Sequence, residues 1–177
     1  MAVDRLHALT REFALSEVEV LDLIANARRL KMAVRGWVAE EHLVRMLRTV
    51  PGVSECHRRD DEGGPDVSLI YDQTPLTVEC KNVLRVTDAV GRARVDFQRT
   101  RASKSDPCSR FYSAKDFDVL AACMNAVRDS WSYRFMPTFR LSGHAKCPGK
   151  LTNLLKIDDD WSDDARIALA EACRVKS

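Results

Sequence analysis

Two short segments that alternate between apolar and polar residues restrict the fold more than any other part of the chain. Val67-Ser68-Leu69-Ile70-Tyr71 and Leu76-Thr77-Val78-Glu79-Cys80-Lys81 are separated by the turn-forming tetrad Asp72-Gln73-Thr74-Pro75. Alternate residues of a strand share a face. Val67, Leu69 and Tyr71 therefore line one side of the first strand, and Leu76, Val78 and Cys80 one side of the second. Asp66 and Ser68 point the other way, as do Thr77, Glu79 and Lys81; Ile70 alone breaks the pattern. A two-residue turn at Asp72-Gln73 sets Asp66 opposite Glu79 and Ser68 opposite Thr77. A four-residue loop from Asp72 to Pro75 sets Asp66 opposite Lys81 and Ser68 opposite Glu79. Both keep the three charged residues on one face, which an odd-numbered loop would not.

Around this hairpin the chain reads as an α/β domain. Ser16-Glu17-Val18-Glu19 is a capping-box pattern that predicts a helix to about Lys31. A second helix is expected from about Val34 to Thr49, stopped by Pro51-Gly52. A further strand-like run, Val53 to Arg59, precedes the hairpin. The stretch from Arg85 to Lys115 has no clear period. Phe117 to Met124 and Tyr133 to Met136 read as a second hairpin, and Ser162 as the cap of a last helix through Val175. At 177 residues the chain can bury one substantial core and not two large ones, so one domain is expected, with its core over about 34–140.

A hydrophobic fraction of 45% beside 31% charged residues places the chain among soluble globular proteins. No apolar run reaches the length of a membrane span, and Met1 to Thr10 lacks the apolar stretch of a signal peptide, so a cytoplasmic location is expected. In that setting the six scattered cysteines read as reduced thiols. The net charge of +2 hides an uneven distribution. Lys81 to Lys104 carries seven basic residues against two acids, and the tail from Asp158 six acids against three basics. The basic stretch suits a polyanionic partner.

Directly paired side chains in a sheet start about 4.5–5.5 Å apart at Cβ, so two carboxylates there repel unless a cation lies between them. Mg²⁺ does this well, binding oxygen ligands and keeping several waters. Lys81 projects the same way as Glu79 and can hold or activate such a water, an assembly suited to attack on a phosphodiester.

Pro65-Asp66, followed by Glu79-Cys80-Lys81 at the end of an apolar strand, resembles the PD-(D/E)xK nuclease superfamily, which includes many restriction endonucleases. The resemblance covers about Val34 to Lys81 and extends loosely to Met136. It implies a restriction-endonuclease-like core, a mixed central β-sheet flanked by helices. It also implies Mg²⁺-dependent hydrolysis of DNA, with Mn²⁺ as a substitute, leaving 5′-phosphate and 3′-hydroxyl ends. Asp66 and Glu79 would bind the metal, the Cys80 carbonyl would add a ligand, and Lys81 would assist the water. A helical Glu often stands near the metal in that superfamily. Glu40 matches it, on the stripe Trp37, Glu40, Val44 and Leu47, whereas Glu41 lines up with Arg45 and Arg48 as a solvated ion-pair face.

Arg92, Arg94, Gln98, Arg99, Arg101 and Lys104, around Val95 and Phe97, are the candidate nucleic-acid contacts. Asp118 is expected to make structural hydrogen bonds. His144 and Cys147 have a spacing zinc can use, but adjacent Cys56 and His57 on a strand face opposite ways and do not complete the set. Cys80 and Cys123 read as small core residues. Cutting both strands of a duplex favours two sites related by a twofold axis, hence a homodimer. The rival readings are a nucleic-acid-binding module with this fold that does not cut, and a nuclease acting on RNA or branched DNA.

Overall fold

In the computed structural model, which describes residues 7–61, 63–99 and 103–176, Asp72 and Gln73 take left-handed φ values of 44° and 67°. The turn is therefore the two-residue kind, whose twist matches that of the flanking strands. It joins two of the seven strands among the described residues: β1 (Val53–Arg58), β2 (Val67–Tyr71), β3 (Thr74–Asn82), β4 (Arg94–Asp96), β5 (Val119–Cys123), β6 (Tyr133–Pro137) and β7 (Leu154–Lys156). The helices are α1 (Ala8–Phe13), α2 (Glu17–Asn26), α3 (Arg28–Leu47), α4 (Asn125–Arg128) and α5 (Ala165–Lys176). β2 and β3 pair antiparallel with Val67 opposite Val78, Ser68 opposite Thr77 and Leu69 opposite Leu76. That register is the first of the two even alternatives, and it places Asp66 across from Glu79 at the mouth of the hairpin.

Five strands form one sheet in the order β1-β2-β3-β5-β6, with β3 and β5 parallel and the other pairs antiparallel. The fold is the expected mixed α/β sheet flanked by helices. β5 is apolar at every position and buried throughout, as a strand covered on both faces must be. β4 and β7 pair separately as a two-stranded sheet. At the turn before β1, Gly52 has φ +87°, a conformation that strains any side chain, and a Cβ there would have to displace the Asp72 carboxylate, 2.6 Å away.

The chain divides into two compact units, 1–38 and 39–177. In the larger one, each face of the sheet has its own core. On one face, Ala39, Leu43 and Leu47 of α3, spaced by four, and Ala165, Ala168, Leu169 and Ala172 of α5 cover Val67, Leu69, Leu76, Val78 and Cys80. The small alanines let α5 approach the sheet closely. Leu76 and Val78 are 1% and 0% exposed, each contributing roughly 1.5–3 kcal/mol of burial. Tyr133 ties this layer together by donating to the Ala39 carbonyl at 2.6 Å. On the other face, Val95, Phe97, Tyr112, Phe117, Leu120, Met136 and Trp161 form a second core.

In the smaller unit the capping box forms as expected: the Ser16 N–H donates to Glu19 Oε2 at 2.8 Å, and the Glu19 N–H to Ser16 Oγ at 3.3 Å. The helix it opens ends at Asn26 rather than Lys31, because Ala27 is extended, and α3 begins at once at Arg28 rather than near Val34. No proline or glycine marks that break. No residue of α2 is buried, and Trp37, expected on the packed stripe of α3, is 60% exposed.

Two further expectations are corrected. The last helix starts at Ala165, since Ser162 bridges to Phe135 of β6 and the Asp164 carboxylate accepts the Arg166 N–H at 2.9 Å in its place. Cys108 and Cys147 form a disulfide with Cα atoms 5.8 Å apart, so the six cysteines are not all thiols; Cys56, Cys80, Cys123 and Cys173 keep the thiol form. A separation of 39 residues carries no pairing signal, because only the fold brings these two loops together. The disulfide also removes Cys147 from any zinc site, and His144 stacks on Phe111 instead, with ring centroids 4.2 Å apart. No helix among the described residues is long and apolar enough to cross a membrane.

Candidate active site

The polar face of β3 carries Thr77, Glu79 and Lys81 on the side of the second core, where Glu79 lies beside Leu120 of β5. Lys81 Nζ stands 2.6 Å from Glu79 Oε1 and 3.6 Å from Asp66 Oδ2, so one ammonium spans both carboxylates. Asp66 is fixed further by the Cys80 N–H, which donates to its Oδ2 at 2.7 Å. The three residues read from the alternation thus meet on one face, while Val67, Leu69, Val78 and Cys80 are buried on the other.

Glu79 is 1% exposed, unusual for a carboxylate. Burial raises its pKa, Lys81 opposes this, and the Asp66 charge reinforces it. Burial by itself would lower the pKa of Lys81, but Glu79 and Asp66 outweigh it and hold the ammonium charged. Glu79 Oε1 also accepts the Tyr112 hydroxyl at 2.6 Å, whereas Oε2 is buried without a hydrogen-bond partner.

Glu40 is the acid of α3 that faces this cluster. Its pKa is pushed up to about 7, mainly by burial and then by the Asp66 charge, against the pull of Arg58 and Lys81. Arg58 of β1 lies 3.6 Å from it. Glu41 instead pairs with Arg45 at 2.9 Å in solvent, as its spacing predicts, whereas Arg48 leaves that expected face and donates to the Cys56 carbonyl at 2.9 Å. Asp118 takes the expected structural role, accepting the Thr77 N–H at 2.7 Å and Lys176 at 2.8 Å.

The basic candidates are dispersed. Arg92 pairs with Asp88 at 2.9 Å, Arg94 donates to the Val86 carbonyl at 3.4 Å, and Gln98 to Asp96 at 3.3 Å. Lys104 is exposed, and Arg101 lies outside the described residues. Among the described candidates, Arg99 reaches the cluster's surroundings: it pairs with Asp116 at 2.9 Å and lies 5.2 Å from the Tyr112 ring centroid. Tyr112 and Arg58 are the site residues the sequence did not disclose. Tyr112 sits in the aperiodic stretch, 33 positions from Glu79. The one available signal for Arg58 was its spacing of two from Cys56, which puts both on the side of β1 that α3 covers, with Arg58 paired across from the buried Val67.

Among the described residues no three His, Cys, Asp or Glu side chains gather closely enough to hold a metal ion on their own. A hard cation such as Mg²⁺ needs only one or two carboxylates beside its waters. Asp66 and Glu79 supply two, and the orphaned Glu79 Oε2 is a buried acceptor that a cation would satisfy. The donor set therefore fits Mg²⁺ or Mn²⁺.

No protein-family model and no curated protein matches this sequence. Among solved structures the chain is similar to a bacterial homing endonuclease, I-Ssp6803I, with a TM-score of 0.50 and 17% identity, over 81% of this chain and 91% of that one. At that identity the likeness concerns architecture: this chain has a mixed α/β fold that a nuclease also has.

Proposed function

We propose that the protein is a metal-dependent endonuclease of the PD-(D/E)xK type, cutting DNA with Mg²⁺ or Mn²⁺ and leaving 5′-phosphate and 3′-hydroxyl ends. The observation that carries this reading is the spanning of Asp66 and Glu79 by Lys81 on one face of the hairpin. Asp66, Glu79 and the Cys80 carbonyl would hold the cation, which when bound polarises the phosphate and makes its water acidic. Lys81, held as an ammonium between the two carboxylates, would orient the attacking water by donating a hydrogen bond to it. Glu40, with a pKa near neutrality, holds or takes up a proton beside Asp66. The Arg and Lys side chains from Arg92 to Lys104 would neutralise phosphates. The homing endonuclease likeness supports DNA as the substrate. A homodimer acting in the cytoplasm completes the reading.

The test is incubation of the purified protein with supercoiled, linear, branched and single-stranded DNA, and with RNA. Cleavage is expected in Mg²⁺ or Mn²⁺ and none in EDTA. Ca²⁺, larger and of higher coordination, should support binding without cutting. Equal cutting in EDTA would overturn the reading, and binding without cutting in Mg²⁺ would favour a non-cleaving module.

A further inference from the structure

A buried carboxylate ordinarily has both oxygens satisfied. Glu79 does not: Oε1 takes two donors, Lys81 and the Tyr112 hydroxyl, each at 2.6 Å, and Oε2 takes none. We propose that Tyr112 is a positioning residue that locks the Glu79 carboxylate by Oε1 and so reserves Oε2 for the cation. The proposal rests on the endonuclease reading and deepens it.

Two features point beyond packing. The ring is held on several sides: it stacks on Phe97 at 5.6 Å, meets Phe117 edge-on at 5.5 Å, and has the Arg99 guanidinium over it at 5.2 Å. Its backbone carbonyl accepts the Leu151 N–H at 2.8 Å. Such a clamp fixes where the phenol oxygen stands. The donor is also neutral. A carboxylate torsion is broad and roughly two-fold, so unrestrained oxygens exchange readily. A second lysine could prevent that exchange but would cancel the charge that attracts a metal. A phenol occupies one oxygen and leaves the negative charge in place. Phenylalanine would fill the same space, so the hydroxyl is the part with a separable role.

The experiment compares wild type with Tyr112→Phe, Phe117→Leu and Glu79→Gln, using Mn²⁺ binding by calorimetry without DNA, melting temperature, and cleavage across a Mg²⁺ titration. Tyr112→Phe should melt near wild type and bind Mn²⁺ roughly tenfold or more weakly, the worth of one hydrogen bond to a charged group. Its half-saturating Mg²⁺ should rise by the same factor, with the rate at saturation much less affected. Phe117→Leu, which loosens the packing and keeps the hydroxyl, should bind Mn²⁺ within about twofold of wild type. Unchanged Mn²⁺ affinity in a folded Tyr112→Phe overturns the proposal. So does an equal loss in Phe117→Leu, which assigns the effect to packing, or an unfolded Tyr112→Phe, which assigns the hydroxyl to the fold. The endonuclease reading is judged separately by wild type and Glu79→Gln. If wild type neither binds Mn²⁺ nor cuts, both ideas fall together; if it does both and Glu79→Gln does neither, only the role of Tyr112 is at stake.

Discussion

The two faces of β3 are built on opposite principles. One presents Leu76, Val78 and Cys80 to α3 and α5, and every group there gains by leaving water. The other presents Thr77, Glu79 and Lys81 within a second core, where burying charge is costly and each group depends on its neighbours. The first face holds the hairpin in register; the second uses that register to bring Asp66 and Glu79 together. Stability and chemistry are therefore separable by a single-residue step along the strand. That separation sets what substitution should do on either side.

The largest effect is expected on the polar face. Glu79→Gln keeps the shape and the Tyr112 partner but removes a metal ligand, and cleavage should fall on the order of a thousandfold. Melting temperature in metal-free buffer should hold, because the lost Lys81 pairing is offset by relief of burial and of repulsion from Asp66. A large drop in that temperature would mean the polar face is structural after all. Next comes the Cys108–Cys147 disulfide. Cys108→Ser with Cys147→Ser should cost about 4 kcal/mol in denaturant unfolding under oxidising conditions, from the freed loop. No change on reduction of the wild type would remove that cross-link from the account.

On the apolar face, Leu76→Ala should cost about 2–5 kcal/mol while leaving metal-dependent cleavage measurable at low temperature. Loss of cleavage without loss of stability would break the contrast between the faces. A smaller effect follows from Glu40. Its folded pKa of about 7 lies above the ordinary 4.5, so the fold favours the neutral acid. The stability this confers is complete below the unfolded pKa and disappears as pH rises through about 7. Metal-free wild type should therefore lose up to roughly 3 kcal/mol between pH 4.5 and 8, a decline that Glu40→Gln should reduce. Identical pH profiles would show that Glu40 is not held in this environment. The smallest effect belongs to Lys176→Ala, which removes a partly exposed partner of Asp118 and should cost no more than about 1 kcal/mol. A larger loss would make the Asp118 bond to Thr77 a determinant of β3 itself.

The sequence by itself determined the hairpin, its facing and three of its charged residues. Period-two alternation is a local rule, and an even loop preserves it whichever length is used. It likewise placed Glu40 rather than Glu41 toward the sheet, because helical spacing from Val44 and Leu47 is also local. The capping box of α2 was equally legible. Tertiary structure decided the rest. The choice of the two-residue turn rested on left-handed φ at Asp72 and Gln73, neither of which requires it. The break at Ala27, the disulfide, the bridge of Ser162 to β6 and the reach of Tyr112 to Glu79 depend on segments that meet only after folding. Most decisively, alternation set Glu79 apart from the helix-covered face but did not say that its own side would also be dry. That depended on Phe97, Tyr112, Phe117 and Trp161 gathering on that side from parts of the chain distant in sequence. A side chain's direction is written in its neighbours along the strand, whereas its burial is set by whatever else packs there.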